Sequence, residues 1–235
     1  MAKSKPISLS YFLSTPFFLL CVFFSSSLAA PPKSESLYST FLHCLTQNNT
    51  DPSISNIVFP QSNPSFSTVL QNYIRNARFN TSSTSKPLII VTPKQPSHVQ
   101  STVICGKRVN IQVKIRSGGH DYEGISYINQ SPFIILDMFN LRTINVDVKN
   151  EVAYVQAGAT LGEVYYRIYE KSKLHGFPAG VCPTVGVGGH ISGGGILIRI
   201  LIGWLRLRQQ LILVIFSGMS RVFLFFLERY RLKNQ

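Results

Sequence analysis

Two glycine-rich stretches constrain this chain more than any other feature: Arg116-Ser117-Gly118-Gly119-His120-Asp121-Tyr122-Glu123-Gly124, and Cys182-Pro183-Thr184-Val185-Gly186-Val187-Gly188-Gly189-His190-Ile191-Ser192-Gly193-Gly194-Gly195. Glycine enters positive φ without a side-chain clash and lets a ligand lie directly against main-chain N–H groups, so such runs suit the polyanionic and planar parts of a dinucleotide. Each run also carries one nucleophilic side chain, His120 in the first and Cys182 in the second. Neither is a G-x-G-x-x-G turn between strand and helix, and neither is a G-x-x-x-x-G-K-[ST] phosphate loop, so classical nicotinamide and P-loop chemistry are unsupported. On the residues alone, blander readings stay open. Glycine loops are commonly tight turns, and a histidine beside Asp121 can be an ordinary satisfied side chain. Cys182 can be a small buried hydrophobe or a disulfide partner, and His190 can pack as readily as bind.

The periodicity around these runs is that of a mixed α/β domain. Residues 36–45 and 66–78 have helix-like apolar spacing, and 76–86 form a polar linker leading into Pro87. Residues 88–91 read as a buried strand, 96–104 as a short helix, and 111–115 as an alternating strand that delivers the chain to the His120 loop, which together make a βαβ unit. Further strands are expected at 133–137, 143–148 and 152–156. Thr160 and Glu163 form a capping box ahead of a helix whose Leu161, Val164, Tyr165, Ile168 and Tyr169 share one face and are expected in the core.

The two ends differ from the body. Lys3 and Lys5 precede an apolar run over 7–24 and then small residues over 25–30, the pattern of a secretory leader cleaved after Ala29. A membrane anchor is the alternative, since 6–32 carries no charge, but Pro16 and the serines weaken a span. Sequons at Asn48, Asn80 and Asn129 agree with a secretory route, although Pro132 makes the third a poor acceptor. Residues 196–235 are rich in Ile, Leu, Phe and Arg, with six Arg and one Lys against Glu228. The formal net charge of +13 is therefore concentrated at the ends and is not a nucleic-acid signature. Arg199, Arg206, Arg208 and Arg221 interrupt this tail too often for a membrane span. A basic interfacial helix, or sequence translated out of frame or from retained non-coding sequence, are the readings left for it.

Taken with their nucleophiles, the two runs resemble the berberine bridge enzyme-like flavoproteins of plants, within the p-cresol methylhydroxylase/vanillyl alcohol oxidase (PCMH/VAO) type of FAD-binding fold. The resemblance extends over roughly 34–195 and includes Pro87-Leu88-Ile89-Ile90-Val91-Thr92-Pro93 and Gly176-Phe177-Pro178-Ala179-Gly180. It implies an α+β fold holding the N-terminal part only of a PCMH/VAO-type FAD-binding domain, with the substrate domain missing. The expected organisation is a signal peptide at 1–29, an N-terminal helical segment at 30–86, a partial FAD-binding domain at 87–195 and an aberrant basic, apolar tail at 196–235.

The same resemblance implies FAD bonded twice, at its 8α-methyl carbon by His120 and at C6 by Cys182. The oxidised ring is electron-poor and accepts attack by a neutral imidazole or a thiolate. Two tethers hold it rigidly and raise its potential. The other cofactor-binding residues implied are Arg116, Ser117, Gly118, Gly119, Asp121 and Tyr122 in the first run, and Gly186, Val187, Gly188, Gly189, His190, Ser192 and Gly193 in the second. No metal site is expected. The family carries a disulfide in the context of Cys44 and Cys105, which implies that pair here and an oxidising compartment; two unpaired thiols are the alternative. A full-length relative takes a proton from a substrate hydroxyl or amine, passes hydride to flavin N5, and reoxidises with dioxygen to release hydrogen peroxide. Substrates across the family include alkaloids, carbohydrates, monolignols and cannabinoid precursors. The catalytic base belongs to the substrate domain, so none is named here. Val185 lies where the family controls oxygen entry, and a small branched side chain there favours oxidase behaviour. The expected location is extracellular, in the cell wall or in the vacuole. The competing expectation is a non-catalytic secreted or membrane-associated remnant.

Overall fold

The computed structural model describes residues 34–193 and the strand backbone at 223–226 and 228–229. The expected leader over 1–29 and the rest of the expected tail lie outside the described residues.

Phe133–Asp137 is buried at every position, an uninterrupted run that suits a strand covered on both faces. It forms β4, which sits inside a four-stranded sheet of order β1 (Val58–Pro60), β2 (Ile89–Val91), β4, β3 (Gln112–Arg116). β2 and β3 run parallel to β4, and β1 closes one edge antiparallel to β2. Side chains alternate across the sheet as the pleat requires. Ile89, Val91, Ile134 and Leu136 share a core with Phe41 and Leu45 of α1 (Ser34–Gln47) and Val99 of α3 (Pro96–Arg108). Ile90, Phe133 and Ile135 turn the other way, onto Phe66 and Leu70 of α2 (Phe66–Gln71) and onto Tyr127. Cys44 and Cys105 are bonded to each other, tying α1 to α3.

The expected βαβ unit is β2, α3 and β3, with β4 inserted between its two strands. The helix expected over 66–78 stops at Gln71, and only a single 3-10 turn at Ala77–Phe79 follows. The carbonyls at its end find a partner elsewhere in the chain. Arg116 donates to the carbonyls of Val69 and Leu70, the acceptors that the N–H groups of Tyr73 and Ile74 would use in a further helical turn.

A second sheet is built on the hairpin of β5 (Ile144–Asp147) and β6 (Val152–Val155). β7 (His175–Gly176) follows α4 (Leu161–Lys171), and α5 is the short helix Val187–Ser192. Within the expected tail, β8 (Phe223–Phe226) pairs antiparallel with β6, and β9 (Glu228–Arg229) with β7. These residues are strand, not an interfacial helix. Leu161, Val164 and Ile168 of α4 are buried against Ala153, Val155, Val187 and Ile191, but the rest of the expected stripe is not. Tyr169 is 59% exposed with the Lys173 ammonium over its ring, and Tyr165 is half-buried with its hydroxyl donating to the Gly180 carbonyl. Both tyrosines lie at the rim of the stripe, where an amphipathic ring keeps its polar end toward water or a backbone acceptor. Among the described residues no helix is long and apolar enough to cross a membrane.

Candidate cofactor site

Arg116 and Asp137 are register partners at the last positions of β3 and β4. Both therefore lie at the carboxyl ends of parallel strands, the side on which open α/β sheets place ligands. Arg116 is fully buried. Its Nε and Nη2 donate to Asp137 Oδ2 at 3.2 and 2.6 Å, Nη1 to the Leu70 carbonyl at 2.6 Å, and Nη2 to the Val69 carbonyl at 2.8 Å. Burial pushes the Asp137 carboxyl above its ordinary range, and the guanidinium opposes the shift. The side chain of Arg116, a residue expected to bind the cofactor, is engaged inside the protein, where it fixes the point from which the first glycine loop departs.

The two glycine runs meet. Gly118 and Gly186 lie backbone against backbone, and a methyl group on either would strike the other. A Cβ on Gly118 would also come within 3.0 Å of the Thr184 carbonyl. Gly119 has φ +67°, with the Tyr73 carbonyl occupying the space a side chain would need. Much of the glycine content thus serves loop-on-loop packing, while Gly189 faces open space.

The segment 157–162 is the spine on which both loops hang. Ser117 donates its hydroxyl to the Ala157 carbonyl at 2.6 Å. The N–H groups of Val187 and Gly188 donate to Ala159 and Ala157 at 2.8 and 3.1 Å. In the other direction, Leu161 and Gly162 donate to the carbonyls of Val185 and Pro183 at 3.0 and 2.9 Å. The first N–H groups of a helix lack intrahelical partners, so the start of α4 satisfies itself by gripping the loop that carries Cys182. The capping box is formed as expected: Glu163 N–H donates to Thr160 Oγ1 and Thr160 N–H to Glu163 Oε2. Arg142 pairs with the other Glu163 oxygen at 2.7 Å.

His120 Nε2 is 2.8 Å from Thr184 Oγ1, a hydrogen bond that joins one loop to the other. Partial burial is the main cause holding the imidazole below its ordinary pKa, the positive Arg75 adds to it, and Thr184 opposes both. Cys182, two positions before Thr184, is an exposed free thiol. The remaining expected residues divide. Val187 is buried in the core beneath α4, so it contributes backbone rather than side chain. Ser192 turns its hydroxyl back to the Gly188 carbonyl, and Asp121 accepts from the Ser126 N–H and hydroxyl. Tyr122 is 87% exposed, with its carbonyl bonded to Asn76. His190 and Gly193 sit in and just after α5. Two residues of consequence were not singled out from sequence. Thr184 lies inside the second motif and carried a visible signal as a hydroxyl beside the nucleophile. Arg75 had none, since only the fold brings it near His120. A lowered imidazole, an accessible thiol on a neighbouring loop and the open backbone face at Gly189 fit a planar electrophilic cofactor.

Comparison with known proteins agrees. Residues 87–201 match the FAD binding domain family, a match that runs past Gly195. The chain is 60% identical over 197 residues to berberine bridge enzyme-like 21 of Arabidopsis thaliana, covering 83% of this chain and 36% of that protein. To berberine bridge enzyme-like 19 of the same plant it is 58% identical over 187 residues, covering 78% and 33%. Among solved structures, Phl p 4, a grass pollen allergen with glucose dehydrogenase activity, superposes with TM-score 0.63 at 46% identity, over 68% of this chain and 32% of that one. Berberine bridge enzyme-like 28 from Arabidopsis thaliana gives TM-score 0.60 at 43% identity, over 66% and 29%. Fold and site thus define an FAD-binding domain of the PCMH/VAO type, α+β in architecture. The chain belongs to the berberine bridge enzyme-like family, and it spans about a third of the length of the relatives it matches.

Proposed function

We propose that this chain holds FAD through two covalent bonds, at His120 and Cys182, as the cofactor-holding part of a secreted oxidoreductase that oxidises an alcohol or an amine. The observation that carries the reading is the His120 to Thr184 hydrogen bond, which fastens the imidazole to the loop bearing the free thiol. Bound FAD would supply a two-electron hydride acceptor. His120 contributes a neutral imidazole, because burial and Arg75 disfavour its protonation. In the tautomer whose Nε2–H donates to Thr184 Oγ1, Nδ1 is the ring atom whose lone pair is left for bond formation. Cys182 contributes an accessible sulfur on a loop that the start of α4 holds in place. Gly189 leaves room for a ligand to approach the backbone.

Phl p 4 is named as a glucose dehydrogenase and, in a variant, as a glucose oxidase. Either electron acceptor is therefore compatible with this architecture. Val185, part of the core edge beneath α4, favours dioxygen as the acceptor here. Secretion is supported by the leader-like N-terminus and the Cys44–Cys105 disulfide. The alternative is a non-catalytic secreted or membrane-associated remnant.

Acid precipitation of the chain from a secretory host separates the two. Yellow colour and flavin fluorescence that stay in the pellet, weaken in His120→Ala and in Cys182→Ala, and vanish in the double variant, are expected. A colourless pellet from the wild-type chain overturns the proposal and leaves the remnant.

A further inference from the structure

We infer that Asn80 is the glycan-bearing asparagine of this domain, and that the sequons at Asn48 and Asn129 stay bare. The inference rests on the secretory part of the proposed function and not on FAD. In N-glycosylation the donor is an oligosaccharide linked to a lipid diphosphate. The bond from sugar C1 to the phosphate oxygen breaks, a bond from C1 to asparagine Nδ2 forms, and one amide proton leaves with the lipid diphosphate. The product therefore has one Nδ2 hydrogen instead of two, and a bulky substituent in place of the other. Whether the fold tolerates the product depends on where those two hydrogens point.

At Asn48 the amide is engaged. Nδ2 lies 2.8 Å from the Cys44 carbonyl, 3.4 Å from Cys44 Sγ and 3.9 Å from Cys105 Sγ. The side chain is half-buried between the end of α1 and the disulfide. A sugar there must displace either the helix carbonyl or the sulfurs. At Asn129 both hydrogens are spent, on Gln112 Oε1 at 2.6 Å and the Ser131 carbonyl at 3.0 Å, and Pro132 follows.

Asn80 is different. It ends the 3-10 turn Ala77–Phe79 and bonds through its backbone N–H to the Ala77 carbonyl, which leaves the amide group clear. It is exposed, and among the described residues nothing accepts from its Nδ2. The required hydroxyl two positions on, Ser82, is exposed as well. The adjacent Thr81 is held apart by bonds to Ser83 and Thr84 at 3.0 and 2.8 Å. A glycan on Asn80 leaves the polar loop before Pro87 into solvent and displaces no contact of the domain.

The test is peptide mapping of the full chain from a eukaryotic secretory host, released with peptide N-glycosidase in heavy-oxygen water. One preparation keeps the chain's own N-terminus and a second carries the host's leader ahead of it. Heavy-oxygen aspartate at position 80 alone is expected. Asn80→Gln should abolish the glycosidase-sensitive mobility shift, and Asn129→Gln should leave it unchanged. Label at 48 or 129, or an unlabelled position 80 on chain recovered from the secretory lumen, overturns the inference. Label at position 80 in the host-leader preparation alone refutes native secretion while supporting the site, and flavin fluorescence of the same material reports on the cofactor reading separately.

Discussion

Replacing Asp137 with alanine tests the buried strut beneath the first glycine loop. The Arg116 and Asp137 side chains are 0% and 2% exposed. Without the carboxylate, the guanidinium keeps the carbonyls of Val69 and Leu70 and the face of the Tyr73 ring, but no anion. Removing one partner of a buried ion pair costs about 3–5 kcal/mol, because a charge is left uncompensated in a low-dielectric interior. Asp137 Oδ1 also accepts from the Phe139 N–H at 3.2 Å, a capping contact of roughly 1 kcal/mol. Against a domain stability of about 5–15 kcal/mol, Asp137→Ala removes about a quarter or more. Arg116→Met should cost a similar amount, leaving the carboxylate and two carbonyls without their donor. The double variant Arg116→Met/Asp137→Leu recovers the charge component, since apolar replacement of both partners is often close to neutral. It does not recover the Val69 and Leu70 carbonyls, worth about 1–3 kcal/mol each when buried and unsatisfied. Urea unfolding followed by circular dichroism, with retained flavin fluorescence read on the same samples, measures all three. A loss below about 1 kcal/mol for Asp137→Ala refutes the strut. Arg116→Met with unchanged stability but lost flavin would return Arg116 to the ligand role that the motif suggested.

Three further outcomes follow from the same geometry. Opening the Cys44–Cys105 bond, which spans a sequence separation of 61, should cost about 4 kcal/mol by loop-closure entropy, read as a lower urea midpoint in Cys44→Ser/Cys105→Ser; an unchanged midpoint counts against it. Thr160→Ala should cost about 1 kcal/mol through the lost cap. Because α4 grips Pro183 and Val185, that variant should also lower tethering at Cys182 more than at His120 in peptide mass spectra; equal losses contradict the coupling. The His120 pKa lies below its ordinary value of 6.5, so the unfolded chain binds this proton first as pH falls. Stability from this group is therefore full above pH 6.5 and is lost as pH drops through the lower folded value. Flavin attachment by Cys182→Ala, which leaves His120 alone, should fall with a midpoint below pH 6.5 as the medium is acidified, and a midpoint at or above 6.5 refutes the shift.

What the sequence disclosed and what it concealed divide along the range of the interactions involved. β4 was legible to the residue, because burial on both faces leaves an unbroken apolar run that needs no knowledge of its neighbours. The capping box was legible for the same reason, its partners lying three residues apart. The helix expected over 66–78 ends at Gln71, where an arginine more than forty positions away donates to the carbonyls of Val69 and Leu70, a contact with no local trace. The same contact occupies the Arg116 side chain, so one non-local interaction bears on both the fold and the site. The glycine runs show a third case, in which the fold supplies a reason for the residue type that the sequence does not carry. Gly118 and Gly186, expected against a cofactor, are each also pressed by the other loop. The two accounts make different demands on substitution. Glycine kept bare only for a ligand can be replaced by alanine in the empty domain at little cost, whereas glycine at a loop-loop contact cannot. Gly186→Ala should therefore destabilise the chain before any FAD is present, by an amount typical of overpacking, about 1–3 kcal/mol, while Gly189→Ala, facing open space, should leave unfolding within about 1 kcal/mol of wild type. Equal urea midpoints for the two variants would mean that the loops do not bear on each other, and the His120 to Thr184 bond would lose the scaffold that holds it.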